Sequence, residues 1–179
     1  IYLPNKHSFF LEKYLEKIKK QKFLDGYIIK TKSLNLVIDY EGKNLIISQS
    51  NISDWILIKE VKLQDWNIIF NGIRDNSLQS PINRMNKYGF TGCINLHKVF
   101  LNKTQFHINN SNCEDAINFV NSRGSVNKLS IFNSISDALD VDFSELNFKN
   151  ITINTALNDC ADFSGGNYIL TNSLFINCE

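Results

Sequence analysis

The chain has 179 residues, 43% of them hydrophobic and 21% charged, with a formal net charge of +1. This composition supplies the core of one ordinary domain and excludes a disordered chain. It offers no bulk field for nucleic acid, and no run of 18 apolar residues that would span a membrane.

The first predicted element is an amphipathic α-helix over residues 7–24, opened by Ser8 and ended by Asp25-Gly26. Phe10, Leu11, Tyr14, Leu15 and Ile18 form its apolar stripe, opposite Glu12, Lys13, Glu16, Lys17, Lys19 and Lys20. Residues 1–26 thus read as a helical cap laid over the open end of a sheet, where it prevents edge pairing. From Tyr27 the pattern changes to short strands rich in Ile, Leu and Val, at 34–40, 44–48, 55–59 and 67–70. An irregular stretch from Asn71 to Gly92 follows, carrying Arg74, Arg84 and Lys87. An insertion of that length inside a compact domain is often functional. Its three cations are candidates to hold an acidic polymer, and the bland alternative is a solvated loop.

After Gly92 the chain becomes periodic. Asp115, Asp137 and Asp159 are 22 residues apart, as are Asn118, Asp140 and Asp162. That period fits one coil of a parallel β-helix and is too short for a helical-pair repeat. The fold class is therefore all-β, a right-handed parallel β-helix with coils of about 22 residues over 27–179 and the N-terminal helical cap. The segment from Leu174 begins a new coil, so the array reads as truncated at its C-terminus. Asparagine makes up about one residue in seven and suits the corners, where it tolerates the left-handed conformation and stacks in ladders. The pairs Asn110-Ser111, Asn133-Ser134, Asn154-Thr155 and Asn172-Ser173 are expected at one corner of successive coils. Cys93, Cys113, Cys160 and Cys178 show no metal-ligand spacing and read as free, mostly buried thiols, with one disulfide between neighbouring coils as the alternative. Trp55 and Trp66 are assigned to packing rather than to stacking on a sugar.

Side chains alternate across a strand, so Ile117, Phe119, Leu139, Val141, Ala161 and Phe163 share the interior face. Asn118, Asp140 and Asp162 then point outward, with Asp142 and Ser164 beside them. Neighbouring coils are about 4.8 Å apart, so stacked carboxylates must share protons or a cation. Three readings stay open. Asp140, Asp142 and Asp162 would form a calcium site of hard oxygen ligands. Two carboxyl groups roughly 5–9.5 Å apart would cleave a sugar by acid–base chemistry. Or the corner aspartates Asp115, Asp137 and Asp159 accept backbone N–H bonds and repeat because the corner repeats.

The array resembles the pectate-lyase-like β-helix superfamily. Ser136-Asp137-Ala138-Leu139-Asp140-Val141 with Asn158-Asp159-Cys160-Ala161 is similar to the polygalacturonase pattern Asn-Thr-Asp-Gly-x-Asp followed by Asp-Asp-Cys-x-Ala. The resemblance covers about 30 residues, implies catalytic carboxylates at Asp137 and Asp159, and puts the amide of Asn158 where that family has its general acid. Bacterial β-helix proteins with Asp-Ala-x-Asp coils are similar as well, and they imply a fold rather than a reaction. The expected protein is an exported or surface-associated bacterial module whose outward face contacts a polysaccharide through Asp140, Asp142 and Asp162, helped by Arg74, Arg84 and Lys87. A polysaccharide-cleaving enzyme and a purely structural spacer are the competing classes.

Overall fold

The computed structural model describes residues 18–75, 77–78, 80–81 and 83–178. Their backbone winds into a β-solenoid of about six turns, with no helix among the described residues. Fifteen strands join one continuous sheet that wraps around the core.

Each regular turn contributes three faces. The first face stacks β5 (Ile56–Lys59), β8 (Gly92–His97), β10 (Asp115–Val120) and the leading parts of β12 (Asp137–Phe148) and β14 (Ala161–Leu170), all parallel. The second stacks β6 (Lys62–Gln64), the beginnings of β9 (Phe100–Ser111) and β11 (Arg123–Ser134), and the trailing parts of β12 and β14. The third stacks β4 (Asn44–Ser48), β7 (Asn67–Asn71), the ends of β9 and β11, then β13 (Ile151–Ala156) and β15 (Ser173–Cys178). Phe106, Phe119 and Phe148 reach inward from the third, first and second faces. Phe119 meets Phe106 edge-on at 5.4 Å and Phe148 at 5.8 Å, and all three are at most 1% exposed. This aromatic bridge ties the three faces across the interior.

The N-terminal end differs from the expected cap. Residues 18–23 are a strand, β1 (Ile18–Phe23), antiparallel to β2 (Gly26–Thr31), which in turn runs antiparallel to β5. This corrects the helical reading for residues 18–24; residues 7–17 lie outside the described residues. The physical reason is Asp25-Gly26. Those residues belong to a tight hairpin closed by the Phe23–Gly26 pair, with Leu24 at φ 51°, rather than to a helix end. Strand pairing puts Phe23 into the core, fully buried and edge-on to Trp66. On the third face β3 (Asn35–Asp39) forms a second hairpin with β4. Asp54, 1% exposed, locks this end: it accepts from the hydroxyls of Thr31 and Ser33 and from the amides of Ser50 and Asn51.

Corners need backbone that ordinary residues avoid. At the turn after the first face, Lys98, Asn121, Phe143 and Gly165 all have positive φ. At the turn after the third, Asn110, Asn133, Thr155 and Asn177 do. Asn133 donates its amide to Asn110 at 3.2 Å, so the asparagine ladder forms as expected there. Two of the Asn-Ser/Thr pairs fall elsewhere. Thr155, not Asn154, takes the ladder position, and Asn172 stacks on Asn150 at the turn after the second face, at 3.4 Å. One or two residues of difference in corner length shift the motif, because the register follows the core side chains.

The cysteines are all paired, which corrects the free-thiol reading. Cys93 bonds Cys113 and Cys160 bonds Cys178, at Cα separations of 5.3 and 5.4 Å. Each bond joins the start of one turn to its end. A turn of the solenoid returns the chain to within a pitch of where it began, so residues 18 to 20 apart become neighbours.

Candidate functional site

The candidate site is the outer surface of the first face. Its columns follow from the register: Asn95 pairs with Asn118, Asn118 with Asp140, and Asp140 with Asp162. A second column runs His97, Val120, Asp142 and Ser164. Opposite them Ile117, Phe119, Leu139 and Val141 are fully buried, and Phe163 packs on the core, as side-chain alternation requires.

The columns change character along the axis. Towards the N-terminus the outer face is apolar: Ile29, Trp55 and Leu57 form a cluster against which Ile18 and Phe90 pack. Phe90 belongs to the insertion between β7 and β8, whose residues 83–91 place Tyr88 edge-on to Trp55 at 5.8 Å and Phe90 5.5 Å from His97. Trp55 and Trp66 are 3% and 4% exposed, so both pack rather than present a platform. Next comes a buried amide layer. Asn95 accepts from Gly92 N at 2.9 Å and donates to the carbonyls of Ile56 and Gly92. Asn118, 2% exposed, donates to the carboxylates of Asp140 and Asp142, but its own oxygen has no partner among the described residues. Only then does the face become acidic and open, with Asp140 and Asp142 half-buried and Asp162 exposed.

Burial and like charge shape the protons here. Asp140 is pushed up to about 7, first by burial, then by Asp142, with the Asn118 hydrogen bond opposing. Asp115 is pushed up to about 8 by burial, against a hydrogen bond from Thr91, with Asp140, Asp137 and Glu114 adding. It is 2% exposed, and one of its carboxylate oxygens has no partner among the described residues. Near neutral pH both groups hold a proton for part of the time, so the stack meets its self-repulsion by protonation. Among the described residues no group of three or more His, Cys, Asp or Glu is placed to hold a metal ion.

The corner aspartates divide. Asp137 accepts from the Asn158 amide at 2.6 Å and from Asp159 N at 3.0 Å, the backbone-capping role of a repeating corner. Asp159 is exposed beside it, whereas Asp115 is buried. The loop cations have their own surroundings. Arg84 reaches Glu114 at 4.0 Å, Lys87 lies 5.7 Å from the Tyr88 ring, and Arg74 lines a groove at the third-face corner with Asn110, Asn133 and Thr155. Asp115 and Asn118 are the members that sequence reasoning undervalued. Their signal was present: Gly92, without a side chain, occupies Asp115's place one coil earlier, and a Cβ there would meet Asn95 and the backbone of Asn118. No family model matches the chain, and no curated protein or solved structure matches it either.

Proposed function

We propose that the chain is a right-handed, pectate-lyase-like β-helix module of an exported or surface bacterial protein, contacting an extended polysaccharide through Asp140, Asp142 and Asp162. Right-handedness is supported by the rule that parallel strands joined by a crossover follow that hand in about 98% of cases. Export is supported by the two disulfides, which persist in oxidising compartments. The observation that carries the glycan reading is the register itself. Asp140 stacks on Asp162 one coil away, and Asp142 lies two residues, about 7 Å, along the strand. A flat surface with polar groups at a constant pitch suits a repeating polymer of hydroxyl-bearing sugars. Asp140, near 7, both accepts and donates hydrogen bonds to hydroxyls at neutral pH.

The enzymatic alternative, acid–base cleavage by Asp137 and Asp159, is weakened by the hydrogen bonds that hold Asp137 to the next corner. A panel of neutral and acidic polysaccharides separates the readings. Binding that falls about tenfold in Asp140→Asn/Asp162→Asn, with no new reducing ends, supports the module. Release of oligosaccharide that stops in folded Asp137→Asn or Asp159→Asn supports the enzyme. No binding to any polymer by the folded chain removes the glycan reading.

A further inference from the structure

The corner between the first and second faces carries a groove of about 350 Å³, on coils that precede the acidic surface. Its side chains come from two columns. Lys62 pairs in register with Phe100, and Phe100 with Arg123, so these three stand one above another at the start of the second face. Lys98 and Asn121 occupy equivalent places in the corner beside them, both at positive φ. Phe100 is 41% exposed, with the Arg123 guanidinium 6.0 Å from its ring centroid.

The charges around this ring are unbalanced. Glu60, which also lines the groove, is engaged by Lys59 at 3.1 Å. Asp25 accepts the backbone N–H of Lys62 at 2.9 Å. Lys62, Lys98 and Arg123 form no ion pair with any described residue. Lys62, Lys98 and Arg123 thus share one concave surface with two carboxylates, Asp25 and Glu60, and Glu60 is held by Lys59 as well as attracted by Lys98, which leaves positive charge in excess around an exposed aromatic face. An anion in the groove would relieve their mutual repulsion. The flat C–H face of a sugar would cover the ring of Phe100, and the Asn121 amide would meet its hydroxyls. A nucleic acid fits less well. The net charge is +1, Asp25 and Glu60 border the site, and Phe100 is the one aromatic side chain lining it.

We propose that this groove binds an anionic glycan, one whose sugars carry carboxylate or sulfate groups. The inference rests on the reading of the chain as a glycan-contacting module, but not on the acidic face being its site. The test measures equilibrium binding of the full chain to alginate (carboxylated), heparin (sulfated), neutral dextran and single-stranded DNA, at fixed ionic strength. The expected result is binding to alginate or heparin, whichever carries the preferred anion, and none to dextran that depends on this groove. Lys98→Asn/Arg123→Gln should weaken that binding about tenfold and Phe100→Ala about fivefold, with unchanged melting temperature. If the double variant melts early, Lys62→Ser/Lys98→Asn provides the same readout. The proposal is overturned if neither anionic glycan binds, if the folded variants bind as tightly as the parent, or if DNA binds more tightly than both glycans through the same residues. Asp140→Asn/Asp162→Asn, read on the neutral polymers, reports on the acidic face separately, so either site can fail alone.

Discussion

Asp115 shows how one side chain departs from its column. By position it is one of three equivalent corner aspartates, yet Asp137 caps a backbone while Asp115 is buried, with one oxygen unpartnered among the described residues and a carboxyl pushed up to about 8. An unfolded aspartate titrates near ~3.9, so between that pH and about 8 the folded state keeps a proton the unfolded state has lost. Its stabilising contribution is therefore complete below ~4, fades as pH rises, and is gone above about 8. Asp140, at about 7, acts in the same sense, whereas His97, held below its usual value by burial, opposes it on the acid side of ~6.5. Asp115→Asn keeps the shape and removes this titration. The variant should gain stability relative to the parent as pH rises from 5 to 8, measured as urea midpoints at each pH. A parent-to-variant difference that stays constant across that range would show that Asp115 is ionised in the folded chain.

Among the elements, the turn is the unit that repeats, and the cysteines reveal its closure. Cys160 and Cys178 are 18 residues apart, and one turn earlier the register gives Ala138 and Ala156 the same two places. One turn before that they are held by Ala116 and Ser134. The small residues are there because the corner leaves no room: Ala116, Ala138 and Ala156 are at most 1% exposed. Ala138→Cys/Ala156→Cys should therefore oxidise spontaneously to a third disulfide. The loop it closes is worth about 3 kcal/mol in the chain-entropy account. Mass spectrometry under non-reducing conditions checks the bond, and a thiol titration that still finds two free cysteines would contradict the turn geometry. The hairpin of β1 and β2 carries a different lesson. Asp-Gly after an amphipathic stretch serves equally as a helix stop or a hairpin turn, and pairing with β5 selects the hairpin.

For the whole molecule, charge is divided along the axis: a cation-rich corner after the first face precedes the acidic part of that face. Lys62, Lys98 and Arg123 belong to earlier coils than Asp140, Asp142 and Asp162. A polymer lying along the axis would meet both regions. The interior is continuous by contrast, and Phe119 sits where all three faces meet. Phe119→Ala should cost about 3–5 kcal/mol, because rigid strands on every side prevent the cavity from collapsing. In a stacked array that loss falls on neighbouring coils first. Hydrogen exchange should speed up in β9, β10 and β12 before the N-terminal hairpins, and uniform acceleration would argue against nearest-neighbour coupling.

The 22-residue spacing, the inward alternation of Ile117, Phe119, Leu139 and Val141, and the stacking of Asn118 on Asp140 and Asp162 were all legible by reading along the chain. Periodicity is local information, since a solenoid turns each interval of one period into a contact. What the tertiary structure alone decided lies where that mapping breaks. The insertion buries Trp55 against Tyr88, Asp115 loses water that Asp159 keeps, the cysteines meet within turns, and three cations collect around Phe100. Each depends on which surfaces other segments cover, and solvent exclusion is a property of the assembled volume, not of any residue's neighbours in sequence.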